Sequence, residues 1–487
     1  METLTITDTP LTVEQVMAVV HGASVALSPD VCDRIAASRA VVDRALGAGE
    51  AVYGLTTQVG HDRNVRLTEE QVRGEQLFLV MSHAGGFGPP LSTDVVRAAL
   101  LMRLNGIARG GSGASQAVAD MLVAMLNAGV HPVVPSISSV GAGDIGQMAT
   151  MAQVAVGGGR AEHAGNVLPG GQALDRAGIA PLSLSGRDGL ALLSANGVSV
   201  GHAALVVDRA RQAVVAADLA AALSLEAMAG NPSILAAAVG RAKPIDGQIA
   251  ALDHLRVLLD GSDLWEPDAA RSVQDPLSFR VVPQVHGALR EHVAAVTRAV
   301  EAELNAAPDN PLVSLEDQTL VSNGNFHPIV LAIACDALRV AVAHVGRLSE
   351  RRMDHLWTGV LDGLSGPPSG PLFGLALRYP AAAAVQELRQ LAAPATLDVP
   401  SLDRGVEDHG TGAPLSVRQT DRALGLLGDM LAIEVLLARD TLGVAAAVRR
   451  LGTGTTALLR TVERALADAE PTPDAVHAAL RARFPAV

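Results

Sequence analysis

Aromatic side chains are scarce in this chain of 487 residues: phenylalanine, tryptophan and tyrosine together make up 2% of it, whereas hydrophobic residues in total reach 49%. The core must therefore be built mainly from alanine, leucine and valine. Strands are enriched in aromatic and β-branched residues, whereas alanine and leucine favour helices. The composition predicts a helical protein, and the length allows either two or three domains or one large helical body.

Positive charge and cysteine are also in short supply. The formal net charge is −13 at pH 7, which argues against nucleic acid or an anionic membrane as a partner. Cys32 and Cys335 are far apart and lack metal-ligand spacing, which predicts a cytoplasmic protein. The first residues show no basic segment before an apolar run, and charges interrupt the alanine-rich runs, so we expect neither a secretory signal nor a transmembrane span.

Residues 133–152 form the stretch around which the chain is organised. A turn of Gly141, Ala142 and Gly143 precedes Asp144, and an apolar helix is predicted to follow. Such a turn can place backbone amides and a helix N-terminus in a buried pocket. The alternative is an ordinary helix N-cap with flexible glycines.

The sequence SVGAGDIGQM at 139–148 resembles the prosthetic-group loop of the histidine and phenylalanine ammonia-lyase family, which reads Ser-Val-Gly-Ala-Ser-Gly-Asp-Leu-Ala-Pro-Leu. In that family the Ala-Ser-Gly triplet cyclises to 4-methylidene-imidazol-5-one, an electrophile. Here the serine is missing. Ala142 has no hydroxyl to lose and Gly143 has no Cβ, so we expect no prosthetic group, although Ala142, Gly143 and Asp144 still fall on the family's catalytic loop.

Tyr53 lies in the glycine-bounded loop YGLTTQVG and is one of two tyrosines in the chain. The loop resembles the family's Tyr-Gly-Ile-Asn-Thr-Gly-Phe-Gly, whose tyrosine removes the substrate's β-proton; the alternative is a ring packed under a loop. A phenol with a pKa near 10 must be perturbed to act as a base near neutrality. Ser82 and His83 resemble the pair that contacts the substrate side chain in histidine ammonia-lyases, although a lone histidine is more often structural.

The sequence VQDPLSFRVVPQVHG at 273–287 resembles a family motif whose arginine holds the substrate carboxylate. Arg280 falls on that position, and a planar guanidinium suits bidentate contacts; a structural ion pair is the alternative. The motif's tyrosine is here Leu277. In a second motif, LSGRDGLALLSAN, Ser194 replaces the asparagine that would contact the prosthetic ring.

Three further positions match family signatures. Asn310 and Phe326 would line the pocket, with turn and core structure as the alternative at both. Glu407, in Glu407-Asp408-His409, matches a glutamate that faces the substrate's imidazole or amino group. Its pKa could be raised by burial, and a charged helix end is the alternative interpretation.

The ordered set of motifs implies the family's fold, which is all-α with a central bundle of long antiparallel helices and glycine-rich active-site loops. We expect an N-terminal domain at 1–195 with those loops, and a central helical bundle with C-terminal helices at 196–487. Long helices are predicted over 198–229 and 330–352, the first of them buried. The resemblance also implies a homotetramer whose active sites take loops from several subunits.

Three functions remain open for a small-molecule substrate. The first is a lyase-like enzyme without methylidene-imidazolone, which uses Tyr53 for proton transfer on an amino-acid-like or carboxylate substrate, in elimination or addition, isomerisation or cyclisation. The second is a conventional histidine-type ammonia-lyase, but no other X-Ser-Gly triplet lies in the matching loop. The third is a non-catalytic binding or scaffold homologue. We favour the first because the losses concentrate around the missing prosthetic group while Tyr53, Arg280, Phe326 and Glu407 remain.

Overall fold

The structure, a computed structural model, describes residues 3–364, 370–443 and 449–484. Helices dominate these residues, and the strands are only two to four residues long. The predicted all-α class is therefore confirmed. The helices are α1 Val13–Val20, α2 Pro29–Gly47, α3 Glu69–His83, α4 Thr93–Ala108, α5 Gln116–Ala128, α6 Ile145–Ala155, α7 Gly170–Arg176, α8 Asp188–Leu193, α9 Gly197–Ala227, α10 Ala237–Ala242, α11 Asp246–Leu258, α12 Leu277–Arg280, α13 Val282–Leu304, α14 Ile329–Leu361, α15 Phe373–Ala376, α16 Arg378–Leu391, α17 Ala413–Leu442, α18 Thr453–Asp468 and α19 Pro473–Arg481.

The short strands tie loops together rather than form a layer. They are β1 Thr3–Ile6, β2 Ser24–Leu27, β3 Phe87–Pro90, β4 His131–Pro132, β5 Pro135–Ile137, β6 Arg160–His163, β7 Asn166–Pro169, β8 Leu312–Ser314 and β9 Thr319–Val321. β1 pairs with β2 in parallel, and β4, β6 and β7 form an antiparallel sheet, as do β8 and β9. β3 pairs antiparallel with β5, which holds the segment after His83 beside the stretch that leads into the glycine turn.

Local sequence signals explain several helix ends. Thr12 caps α1 in a capping box with Gln15, as the spacing of these two residues predicts. Thr68 and Gln71 form the same arrangement at the start of α3. The long helices predicted over 198–229 and 330–352 correspond to α9 and to the first two thirds of α14.

The apolar content of the long helices is explained by burial. Two segments, Asp188–Ala227 and Ile329–Leu361, are long and apolar enough to cross a membrane by composition. In the first, 89% of the apolar window is buried inside the protein, and in the second 56%. Small alanine side chains such as Ala203, Ala204 and Ala217, each 0% exposed, fill the interior of α9, as expected for a core with few aromatic residues.

The chain divides into two compact units. The first comprises Met1–Asp208, Thr297–Ile333 and Ala395–Arg418, and the second comprises Arg209–Val296, Ala334–Pro394 and Gln419–Val487. Each unit is thus discontinuous, and four of the five unit boundaries fall inside α9, α13, α14 and α17, whereas the fifth, at 394/395, lies between α16 and α17. The first unit includes the whole of the predicted N-terminal domain at 1–195; the division of the chain into two functional domains at that point stays a prediction.

Candidate active site

The first unit brings Glu407 close to Tyr53 and His83, which precede it by more than 300 residues in the sequence. Tyr53 lies in the loop between α2 and α3, and its Oη accepts a hydrogen bond from the Gly60 amide at 3.0 Å. Burial raises the pKa of Tyr53, the Gly60 hydrogen bond opposes this rise, and the Glu407 and Asp403 carboxylates add to it. Burial also raises the pKa of Glu407, with Asp403 adding to the rise and His83 opposing it. The carboxylates of Glu407 and Asp403 therefore oppose ionisation of the Tyr53 phenol, and Asp403 also opposes ionisation of Glu407.

His83 ends α3, and its orientation is set by its own helix. Its Nδ1 is 2.9 Å from the Leu79 carbonyl oxygen and 3.1 Å from Ser82 Oγ. A proton on Nδ1 donated to the carbonyl leaves Nε2 free to accept from a ligand. Ser82 is exposed, so the Ser82–His83 pair presents polar groups at the edge of the cluster, as the resemblance implies for contact with a substrate side chain.

A tight turn holds Glu407 and Asp403 in the same cluster. Backbone hydrogen bonds join the Leu402 amide to the Glu407 carbonyl at 2.8 Å and the Glu407 amide to the Leu402 carbonyl at 3.3 Å. Between them, Asp403 and Arg404 have left-handed backbone angles, with φ of 48° and 53°. Residues with side chains rarely adopt this conformation, which concentrates at functional sites.

The glycine turn of the central loop is fixed by several hydrogen bonds. The Gly143 amide donates to Asn196 Oδ1 at 3.1 Å and to the Phe326 carbonyl at 3.2 Å. Thr411 Oγ1 donates to the Gly141 carbonyl at 2.7 Å, and a side chain at Gly141 would collide with that hydroxyl. Gly141 and Gly143 both have left-handed φ angles, 86° and 79°. The turn thus depends on glycine at both positions.

Asp144 follows the turn, and its carboxylate accepts hydrogen bonds from α9 rather than from α6, the helix that it precedes. Although Asp144 is the N-cap residue of α6, its side chain makes no capping bond there. It accepts instead from the Ser199 amide at 2.7 Å and from Ser199 Oγ at 2.9 Å, in the first turn of α9. Burial raises the pKa of Asp144, and the bonds from Ser199 oppose the rise. Asp144 therefore occupies the N-cap position of α6 without a side-chain capping bond, and a catalytic role for Asp144 stays a prediction.

Ser194 and Asn310 are joined directly. Ser194 Oγ accepts from the Asn310 amide at 3.2 Å, and Asn310 Oδ1 accepts from the Asn323 amide at 3.1 Å. The adjacent Asp309 pairs with Arg103 at 2.9 Å, and both side chains are completely buried. This buried ion pair anchors the segment in which the sequence motif predicts the pocket residue Asn310.

Phe326 contributes its backbone to the loop contacts, since its carbonyl accepts from both the Gly143 amide and Asn196 Nδ2, the latter at 2.7 Å. The next residue, His327, lies against His409, with ring centroids 5.0 Å apart and His409 Nδ1 at 3.1 Å from His327 Nε2. The motifs around Phe326 and Glu407 are thus neighbours in space.

Arg280 ends α12 and belongs to the second unit. Its guanidinium lies against the Gln274 side chain, whose carbonyl oxygen accepts from it in the amide orientation that satisfies both groups. The turn that carries Arg280 is anchored by a hydrogen bond from Arg352 Nη1 to the Ser278 carbonyl at 3.1 Å. Arg352 is itself held by Glu434 through contacts of 2.6 and 3.0 Å, and both side chains are completely buried.

Three further residues support the loops that carry the predicted site residues: His61, Asp403 and Asn196. His61 Nδ1 lies 2.6 Å from Asp403 Oδ1, across 342 positions of sequence, and no spacing rule connects two such residues. Asn196 could have been found, because it is a polar residue that opens a long apolar helix.

Comparison with known proteins shows the family of the chain. The family model described as aromatic amino acid lyase matches residues 11–464. The chain belongs to the aromatic amino acid lyase family. It is therefore a carbon–nitrogen lyase by family, which disfavours a non-catalytic scaffold.

Relatives in this family differ in what their names say of their activity. The histidine ammonia-lyase of Anaeromyxobacter sp. (strain K) is 40% identical over 469 residues, which cover 92% of each chain. Among solved structures, ergothionase from Treponema denticola, described as an ergothioneine degrading enzyme in complex with desmethyl-ergothioneine sulfonic acid, superposes with a TM-score of 0.91 at 26% identity and covers 99% of both chains. Histidine ammonia-lyase from Trypanosoma cruzi superposes with a TM-score of 0.87 at 29% identity, over 99% of this chain and 94% of that one.

Proposed function

We propose that this protein is a lyase that acts without methylidene-imidazolone. In this proposal Tyr53 removes a β-proton from a histidine-like substrate whose nitrogen is already a quaternary ammonium group. The observation that carries the proposal is the chemistry of the glycine turn, and the charge of the Tyr53 cluster supports it.

The residues of the turn do not fit the family's prosthetic group. A methylidene carbon has to come from a side chain that loses water, and Ala142 has no hydroxyl while Gly141 and Gly143 have no side chain. A serine at Gly141 would collide with Thr411. The Gly143 amide, which would have to attack a carbonyl carbon during ring closure, is engaged by Asn196 and Phe326. We therefore derive no catalytic step through that group.

Without an electrophile, the leaving group must be good by itself. A primary ammonium group gives its own proton to a base more readily than a β-carbon does, and the amine that remains is a very poor leaving group. A quaternary ammonium group has no such proton and departs as a neutral tertiary amine. Ergothioneine, named for the Treponema denticola relative, is a trimethylammonium betaine of this kind.

The proposed step is an elimination. Tyr53 Oη, as the phenolate, takes the β-proton, the C–H electron pair becomes the double bond, and the C–N pair leaves with the neutral amine. Burial and the carboxylates of Glu407 and Asp403 raise the pKa of Tyr53, so the phenolate is disfavoured in the free enzyme. A substrate with a permanent positive charge would compensate the two carboxylates and lower that pKa.

Other roles follow from the resemblance. Arg280 would hold the substrate carboxylate through charge-assisted hydrogen bonds. Ser82, His83 and Glu407 would contact the imidazole, with Ser194, Asn310 and Phe326 around them. The homotetramer and the cytoplasmic location likewise stay predictions.

A second candidate is a conventional histidine ammonia-lyase, and a specific observation favours it. Relatives covering at least nine tenths of the chain at up to 40% identity carry that name. This function requires an electrophile from another source, because the turn lacks the serine.

One experiment separates the two candidates. The purified protein is weighed intact and then incubated with histidine, its Nα-trimethyl betaine and ergothioneine, while amine release and the ultraviolet absorbance of the unsaturated acid are followed. We expect the encoded mass, amine release from a betaine, and none from histidine. Tyr53→Phe should lower turnover by roughly 10²–10⁴-fold, whereas Tyr379→Phe, at a tyrosine that is 77% exposed, should be fully active. A deficit of two waters in residues 141–144, or rapid urocanate formation from histidine, would refute the proposal.

A further inference from the structure

The loop that carries Tyr53 is attached to the turn that carries Glu407 through one carboxylate. Asp403 Oδ1 lies 2.6 Å from His61 Nδ1, and His61 Nε2 lies 3.3 Å from Asp62 Oδ2. The other oxygen of Asp403 lies against the Cα of Gly60, so close that a side chain at Gly60 would collide with it. Gly60, whose amide donates to Tyr53 Oη, is thus packed against the Asp403 carboxylate.

The contact between Asp403 and Gly60 requires left-handed backbone angles at both residues. Gly60 has a left-handed φ of 62°, and Asp403 and Arg404 are left-handed although both have side chains. Such a conformation is unfavourable and persists only where surrounding contacts impose it. Here the backbone bonds between Leu402 and Glu407 impose it, and its effect is to place the Asp403 carboxylate on Gly60.

We propose that His61 and Asp403 are positioning residues for Tyr53: the pair fixes the Gly60 amide against the phenol oxygen and sets the charge next to it. The inference deepens the proposed function, and it rests on the role of Tyr53 as the base. In the family loop to which this segment is similar, the match ends at the glycine that corresponds to Gly60, so His61 lies beyond the shared motif.

The charged groups that face Tyr53 are Glu407 and Asp403, which raise its pKa, and Arg63, which lowers it. Glu407 in turn faces Asp403 and His83. His61 is 39% exposed and Asp403 is 25% exposed at their side chains, so water screens the pair only in part. Removing the charge of Asp403 should therefore make the phenolate easier to form, whereas removing His61 should mainly loosen the Gly60 amide.

The first readout does not depend on activity. Since the chain has two tyrosines, 3-fluorotyrosine incorporated into the Tyr379→Phe variant reports on Tyr53 alone in a ¹⁹F NMR titration. We expect Asp403→Asn to lower the pH at which Tyr53 ionises by about 0.5–1, the size of one partly screened charge interaction. His61→Gln should leave that pH nearly unchanged, because this substitution keeps the Asp403 carboxylate that faces Tyr53.

The second readout is turnover of the betaine that the wild type accepts. We expect His61→Gln and Asp403→Asn each to lower kcat about tenfold at optimal pH with KM nearly unchanged, and the double variant to lose no more than the worse single variant, because the two residues act as one pair. The kcat of the Asp403→Asn variant should also reach its plateau at lower pH than that of the wild type.

The matched control is Asp468→Asn, which removes a carboxylate from the exposed Arg483–Asp468 pair and should change neither readout. If Asp403→Asn leaves the ionisation of Tyr53 where it is in the control, or if losses of kcat multiply in the double variant, the positioning role is refuted. If no betaine is turned over, the proposed function fails, while the NMR titration still decides whether Asp403 acts on Tyr53.

Discussion

The buried Arg103–Asp309 ion pair, next to Asn310 in the sequence, allows a quantitative test of how this segment is held. Arg103 Nη2 and Nη1 lie 2.9 and 3.2 Å from the two oxygens of Asp309. A second buried guanidinium, Arg187, has no hydrogen-bond partner for Nε or Nη1 in the described part of the chain, and burial lowers its pKa to about 10 while Asp309 opposes that change. One carboxylate therefore compensates two buried cations.

Asp309→Asn keeps the shape of the side chain but removes this charge. Breaking a buried pair on one side costs about 3–5 kcal/mol, because an uncompensated charge remains inside the protein. For comparison, Asp468→Asn breaks an exposed pair of similar length, 2.7 Å, and should cost about 0–1 kcal/mol. The expected difference between the two variants is thus at least about 2 kcal/mol.

The assay is urea unfolding at a fixed protein concentration, because association would add to the apparent stability. If the two variants show the same dependence of the unfolding free energy on urea concentration, a shift of the transition midpoint reports only a change in stability. The Asn310 segment should also be disturbed, so the Asp309→Asn variant is expected to lose substrate affinity. An unfolding free energy equal to that of the Asp468→Asn variant would show that the pair is not the anchor we describe.

The other predictions concern chemistry, the backbone and pH. Tyr53→Phe should lower turnover by roughly 10²–10⁴-fold with binding retained, whereas Arg280→Ala should weaken binding of the carboxylate substrate by about 2–5 kcal/mol if that contact is desolvated; unchanged turnover in the first or unchanged affinity in the second would contradict the assignment. Gly60→Ala should lower turnover far more than Gly49→Ala, because both glycines are left-handed but only the first has a neighbour, Asp403, that a Cβ would strike; equal kinetics would contradict this. Burial and the adjacent Arg97 lower the pKa of His131 to about 4, so the unfolded chain binds a proton first as the pH falls and stability should drop between about pH 6.5 and 4, by up to ~3 kcal/mol. His131→Gln should flatten that dependence in pH-resolved thermal unfolding, and an unchanged slope would exclude His131 as its source.

Much of the helical framework is predictable from the sequence for physical reasons. The capping box of Thr12 and Gln15 and the long alanine-rich run that becomes α9 are local signals, which act within a few turns of one helix. A carboxylate before a helix ordinarily caps that helix, so the sequence alone does not reveal that Asp144 binds a different one. Here the start of α9 lies closer to the carboxylate, and the two bonds from Ser199 replace the cap.

Local sequence signals do not predict the contacts within the candidate site. Tyr53, His83 and Glu407 could be proposed from the sequence because each lies in a motif, but His61 and Asp403, which we propose position Tyr53, do not. Asp403 reaches Gly60 only through a left-handed turn, and nothing in Leu402-Asp403-Arg404-Gly405 specifies that geometry without its partner segment. The same reasoning limits inference from the relatives' names. A name follows overall similarity, which the helical framework dominates, whereas the reaction that we propose depends on the missing serine and on the charges around Tyr53. A chain can therefore be 40% identical to histidine ammonia-lyases and still require a substrate whose leaving group needs no electrophile.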